Sequence, residues 1–161
     1  MNVLIKKMET DSEIRGKAYV HFRSWHEAYR GLVDPVYLDK LTLAKCEEIA
    51  FRLRENLLVA LDGKTVVGFA GYGNCADDDL SEAGELFALY ILPEYYGTGL
   101  GRLLTNEALS RLSQPKVCLW VLKDNLRAIR FYEKYGFRAD GREKTLTLET
   151  PVQVIRMIIS H

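Results

Sequence analysis

The sequence predicts an α/β (α+β) fold, and three observations carry that prediction. Short runs of β-branched and aromatic residues, bounded by Gly, Pro, Asn or Asp, recur along the 161 residues. Between them lie stretches whose apolar residues return every three or four positions, the period of an amphipathic helix. The two kinds of segment alternate in the order β-α-α-β-β-β-α-β-α-β-β, which gives about seven strands in a sheet flanked by about four helices.

Each element has a local reason. Residues 2–8, NVLIKKM, combine β-formers with a polar tail and suit a first strand. Thr10 with Glu13 forms a capping-box pattern, and Ile14, Ala18, Phe22, Trp25 and Tyr29 then follow at helical steps as far as Gly31. Asp34 before Pro35 reads as an N-cap with proline at the first helical position. Leu38, Leu41, Cys46, Ile49, Ala50 and Leu53 continue the helical pattern, with a break expected near Thr42. Residues 56–73 contain two β-rich runs around Asp62–Gly63, a hairpin signal, and the polar stretch 74–84 reads as a loop.

Residues 85–93, ELFALYILP, form an almost unbroken apolar run stopped by proline, the mark of a central strand covered on both faces. After a glycine-rich segment, Leu103, Leu104, Ala108, Leu109 and Leu112 make a helical stripe. KVCLWVL (116–122) reads as another buried strand, and residues 125–137 as a short helix closed by Gly136. Residues 142–149 and 152–159, separated by Thr150–Pro151, read as a closing antiparallel pair. No repeat, low-complexity tract or linker interrupts the order, so one domain over residues 1–161 is expected.

The charge balance excludes several partners. With 22 basic and 22 acidic residues, no overall field draws the chain to nucleic acid or to an anionic membrane. No apolar run reaches the roughly 20 residues of a membrane span, and the opening residues lack the apolar core of a secretory signal. A cytoplasmic protein is therefore expected. Cys46, Cys75 and Cys118 are odd in number and show no CxxC or paired-His pattern, which indicates neither a disulfide framework nor a metal site.

An anion would need a local device, and LPEYYGTGLGRLL (92–104) supplies one. A dinucleotide fingerprint would need Gly or Ala where Arg102 or Leu104 stands, and a P-loop would need Lys and Ser/Thr after its last glycine, where Arg102 and Leu103 follow. What remains is G-x-G-x-G running into a helix. Alternate glycines let backbone N–H groups turn toward one point, and the helix N-terminus adds its own unpaired N–H groups and positive dipole end. A phosphate or pyrophosphate fits such a cradle, with Arg102 adding side-chain charge.

Pro93 to Arg102, PEYYGTGLGR, resembles the acetyl-CoA pyrophosphate loop of the GNAT superfamily of N-acetyltransferases, whose pattern is Q/R-G-x-G-x-G/A. NLRAIRFYEKYGF (125–137) is similar to a second block of that family, with Asn125, Ala128, Phe131, Tyr132, Gly136 and Phe137 in place. One departure is Tyr96, which stands where Gln or Arg is usual. The resemblance implies the GNAT fold, a central mixed twisted sheet, with acetyl-CoA as co-substrate and no metal. Its cofactor-binding residues would be Leu89, Tyr90, Ile91, Tyr96, Gly97, Thr98, Gly99, Leu100, Gly101, Arg102, Asn125, Ala128, Phe131 and Tyr132.

In the family the strands before and after the loop helix splay apart to admit pantetheine, which the resemblance assigns here to 85–92 and 116–122. Pantetheine amides would pair with the backbone of Leu89 and Ile91. Transfer to an amine needs a proton acceptor, an oxyanion donor and an acid for the departing thiolate. Glu85 is the candidate base, with a solvated strand-end charge as the equal alternative. A strand N–H at Leu89 or Tyr90 is the candidate oxyanion donor, and Tyr132 the candidate acid. Asn125 is expected to cap its helix. Cys118, among apolar neighbours and without a His partner, makes a poor nucleophile, so direct attack in a ternary complex is the simpler course.

For the acceptor, a small-molecule amine or a peptide, two readings of Trp25 and Tyr29 stand open: stacking on substrate, or core on an amphipathic helix. His26 and Glu27 lack any metal-ligand spacing and read as surface. Asp77, Asp78 and Asp79 with Glu82 either give the acceptor cleft an acidic mouth, which would favour a cationic amine, or are simply solvated. The family's members often form dimers, so a homodimer is also among the expectations. The rival reading is a non-catalytic sensor or interaction module that binds acetyl-CoA or CoA on the same fold.

Overall fold

The structure is a computed structural model describing residues 2–161. In chain order it contains β1 (Val3–Lys7), α1 (Asp11–Ala28), α2 (Pro35–Lys40), α3 (Leu43–Arg52), β2 (Leu57–Asp62), β3 (Thr65–Asn74), β4 (Gly84–Ile91), α4 (Leu100–Ser110), β5 (Lys116–Leu122), α5 (Leu126–Tyr135), β6 (Arg138–Leu148) and β7 (Thr150–Ser160). The strands form one mixed seven-stranded sheet in the order β1-β2-β3-β4-β5-β7-β6. Only β4 and β5 run parallel; every other neighbouring pair is antiparallel.

Local signals set most boundaries. The Thr10 hydroxyl accepts from the Glu13 N–H while the Glu13 carboxylate accepts from the Thr10 N–H, both at 3.1 Å, completing the capping box of α1. α1 ends at Ala28, before the expected Gly31, because the Tyr29 carbonyl turns the chain by accepting from the N–H groups of Leu32 and Val33. The break near Thr42 is a full restart: its hydroxyl caps α3 at the Lys45 N–H, so one helical pattern yields two helices, α2 and α3. The β2–β3 hairpin turns through Gly63 and Lys64, with Gly63 at φ 62°.

The last hairpin differs from the sequence reading. Leu148 pairs directly with Thr150, so the reversal is at Glu149, held at φ 65°, and Pro151 lies inside β7. β6 also begins earlier than expected, at Arg138, and reaches the turn through an irregularity between Ala139 and Glu143 with Gly141 at φ 90°.

α1 packs on β3 and β4, and α4 on β2, β3 and β4, enclosing a core that includes Ile14, Leu58, Leu100, Leu104, Leu119 and Phe137. A smaller apolar cluster of Val33, Leu38, Leu122 and Val154 joins the α1–α2 connection to β5 and β7. Among the described residues no helix is long and apolar enough to cross a membrane.

Candidate active site

The site begins where two strands part. The parallel ladder between β4 and β5 consists of Gly84 with Val117 and Glu85 with Cys118, and then stops. Beyond it β4 stays paired to β3, and β5 stays paired to β7 along its whole length, so the opening lies between β4 and β5. A bulge marks the point of divergence: Tyr72 faces Leu86 and Gly71 faces Ala88, leaving Phe87 as the extra residue. The Phe87 ring lies over Gly71, where a Cβ would come within 2.3 Å of it, so only glycine permits this packing. Phe87 is 51% exposed, which corrects the expectation that this strand is covered on both faces.

The wedge opens into a cavity of about 730 Å³. β4 from Leu86 to Ile91 forms one wall, and on the β5 side backbone groups of that strand have no ladder partner. Trp120 to Leu122 form the opposite wall. The glycine loop and α5 also line it, as do Trp25 of α1, Tyr29 just past the end of α1, and Leu146 and Leu148 of β6.

At the loop end the three glycines serve different purposes. Gly97 and Gly99 have φ of 75° and 88°, and a Cβ on either would meet nothing within 4 Å, so the space beside the loop is open. Gly99 is the N-cap of α4, whose first intrahelical bond joins the Leu103 N–H to the Gly99 carbonyl at 3.1 Å; the N–H groups of Gly101 and Arg102 precede it and face no helical acceptor. Gly101 instead admits the Phe131 ring, 3.2 Å from where its Cβ would be. Leu100 is fully buried and Thr98 donates its hydroxyl to the Tyr95 carbonyl at 2.6 Å; neither side chain lines the cavity.

Tyr96 takes on a role through a residue that sequence reading missed. The Arg127 guanidinium lies 3.3 Å from the centre of the Tyr96 ring, a close cation–π stack at the mouth of the cavity. Arg102, Arg130 and Lys134 line the same end, so this part of the site is strongly positive within a chain of zero net charge. Arg127 lies two residues after Asn125, and the helical spacing alone does not reveal that it folds back over the loop. Asn125 caps α5 as expected, its Oδ1 accepting from the Ala128 N–H at 3.3 Å.

Three phenols lie deep in the wedge. Tyr29 and Tyr90 hydroxyls are 3.0 Å apart, and burial raises both groups, Tyr29 well above the usual phenol value. Tyr132 packs edge-on against Phe131 and Phe137 and lines the cavity. Burial, with Tyr90 adding to it, pushes its phenol up, so Tyr132 holds its proton at neutral pH. Trp25 both packs against the core and lines the cavity, and its Nε1 is buried without a hydrogen-bond partner.

Glu85 is not among the cavity-lining residues. It sits at the point of the wedge, half-buried, and burial and then the Asp77 charge raise its carboxyl above the usual glutamate value. In register with it, Cys118 is fully buried, its Sγ 3.1 Å from that of Cys75; burial, then this contact, pushes its thiol up, which argues against a thiolate nucleophile.

The acidic run does not form a mouth. Arg156 of β7, 3% exposed, donates to Asp77 at 3.1 Å, to both oxygens of Asp79 at 2.8 and 2.7 Å, and to Asp140 at 2.7 Å. Trp120 Nε1 also donates to Asp77, at 3.0 Å. Asp78 and Glu82 are exposed and line no part of the cavity. His26 donates its Nε2–H to the Leu41 carbonyl, 2.9 Å away, a structural contact.

Residues 19–137 match the model of the acetyltransferase (GNAT) family. The chain belongs to the GNAT acetyltransferase family. This GNAT chain is 32% identical to the uncharacterized N-acetyltransferase YuaI of Bacillus subtilis over 129 residues, 77% of this chain and 74% of the relative. Its fold superimposes on the PaiA N-acetyltransferase of Thermoplasma acidophilum in complex with coenzyme A with a TM-score of 0.76, at 22% identity and complete coverage of both chains. The apo form of YjaB from Escherichia coli matches with a TM-score of 0.70 at 25% identity, over 98% of this chain and 97% of that one. The chain is thus an N-acetyltransferase of the GNAT family on a seven-stranded mixed sheet.

Proposed function

We propose that the protein, acting as one domain, transfers the acetyl group of acetyl-CoA directly to a primary amine. The observation that carries this reading is the parted β4–β5 pair, with a glycine loop and basic residues at one end and a protonated tyrosine within. Open space beside Gly97 and Gly99, and the N–H groups at the start of α4, suit a pyrophosphate, with Arg102 and Arg127 supplying charge. The backbone of Leu89 and Ile91, without a ladder partner on the β5 side though the Ile91 carbonyl accepts from the Ser24 hydroxyl at 3.3 Å, suits the amides of pantetheine.

In the chemical step the amine nitrogen forms a bond to the thioester carbonyl carbon, and the carbon–sulfur bond then breaks. The Leu89 N–H holds the oxyanion, because β3 takes up the Tyr90 N–H through its pairing with Phe69. Glu85 takes the amine proton through water, consistent with its place at the point of the wedge and its raised affinity for protons. Tyr132 gives its proton to the departing sulfur, and after CoA leaves Tyr132 regains a proton from solvent while Glu85 releases to solvent the one it took.

The test is release of CoA thiol from acetyl-CoA by the purified protein with amine acceptors, beside Tyr132→Phe. Turnover in the wild type that falls about 10²- to 10⁴-fold in the variant, with acetyl-CoA affinity unchanged, supports the reading. Acetyl-CoA binding with no turnover on any amine would instead make the protein a sensor.

A further inference from the structure

Resting on the acetyl-transfer reading above, we infer that the acceptor is a small primary amine carried on an apolar, aromatic-sized group, and that polycationic amines are poor acceptors. The cavity lining includes Trp25, Tyr29, Phe87, Trp120, Leu146 and Leu148, an aromatic and apolar set. Phe87 and Leu146 are 51% and 39% exposed, apolar surface at the rim that a substrate would cover. Trp25 lies 4.7 Å from Tyr29 and 6.3 Å from Tyr90 between ring centres, so the inner wall is a cluster of aromatic edges and faces.

Charge points the same way. Among the described residues no Asp or Glu lines the cavity, whereas Arg102, Arg127, Arg130 and Lys134 do. The nearest acidic run has two of its members, Asp77 and Asp79, bound to Arg156, and Glu85 lies behind the lining. The Lys144 ammonium sits over the Trp120 ring, 4.0 Å from its centre, so that aromatic wall already holds a cation. A polyamine would therefore surrender hydration without gaining an ion pair, while an aryl group would bury apolar area against rings already present.

The experiment gives the purified protein acetyl-CoA with phenethylamine or spermidine, measures CoA release, and follows binding of each amine to the CoA-loaded protein by ligand-observed NMR. An apolar group matched to its pocket is worth roughly 10- to 200-fold in kcat/KM, so phenethylamine is expected to exceed spermidine by at least about tenfold. Phe87→Glu should lower the phenethylamine rate and raise that of spermidine while acetyl-CoA affinity is unchanged. Spermidine equal to or better than phenethylamine in the wild type overturns the inference. Saturable phenethylamine binding without transfer supports the inferred pocket while refuting acetyl transfer; absence of both binding and transfer overturns it.

Discussion

Replacing Arg156 by Met tests how the Trp120 wall of the cavity is held. The guanidinium, 3% exposed, joins β7 to Asp77 and Asp79 of the β3–β4 loop and to Asp140 of β6, and Asp77 in turn accepts from Trp120. Methionine fills similar volume but leaves the carboxylates without a partner, and removing one member of a buried ion pair costs about 3–5 kcal/mol. The carboxylates left behind keep access to water, with side chains 18–39% exposed, so the loss falls below that range, at about 2 kcal/mol. For a chain of this size that lowers Tm by about 4–8 °C.

The deficit should depend on pH in a defined direction. Hydrogen bonding to Arg156 holds the Asp79 carboxyl down at about 2, below its ordinary 3.8. A depressed carboxyl contributes stability that is fully present above the ordinary value and lost as pH falls through the folded one. The gap in Tm between wild type and Arg156→Met, measured by circular dichroism, should be full at pH 7 and narrow between about pH 4 and pH 2. Because Trp120 loses its brace, the amine KM should rise while acetyl-CoA affinity is unchanged. A gap under about 2 °C at pH 7, or one that persists undiminished at pH 2, would refute this account of the network.

Other consequences follow from the same geometry. Gly99→Ala meets no steric contact but must hold φ 88°, so it should lose about 1–2 kcal/mol, or roughly 2–8 °C in Tm; an unchanged thermal transition would show that the loop relaxes freely. Tyr96→Ala and Arg127→Ala should each weaken CoA binding measured by calorimetry, and the double variant should lose less than the sum, by about 0.5–2 kcal/mol; strict additivity would dissolve the stack as a unit. Glu85→Gln should lower kcat/KM by about 10²- to 10⁴-fold, and the acid limb of the wild-type profile should lie above the ordinary glutamate value of 4.5, because burial raises this carboxyl. A variant retaining half its activity would return Glu85 to a purely structural place.

Much of this protein was readable before folding because the signals are local. Thr10 and Glu13 cap one helix, Asn125 another, and Gly97 and Gly99 announce backbone that other residues adopt at a cost. Pattern and spacing therefore carried most of the element order, and the resemblance of two blocks carried the family. Other features depend on partners far apart in the chain. Arg156 meets Asp77 across 79 residues, so part of an acidic run read as either a cleft mouth or a solvated loop is a brace, and the sequence contains no mark of that pairing. The bulge at Phe87 arises only where β4 keeps its register with β3 while losing β5, so neither its exposure nor the place of Glu85 behind the cavity could be read from an apolar run. Local backbone preference and periodicity, which one stretch of chain possesses alone, determined what the elements are; where strands part, and which charges meet, was decided by packing among elements, which exists only once they are assembled.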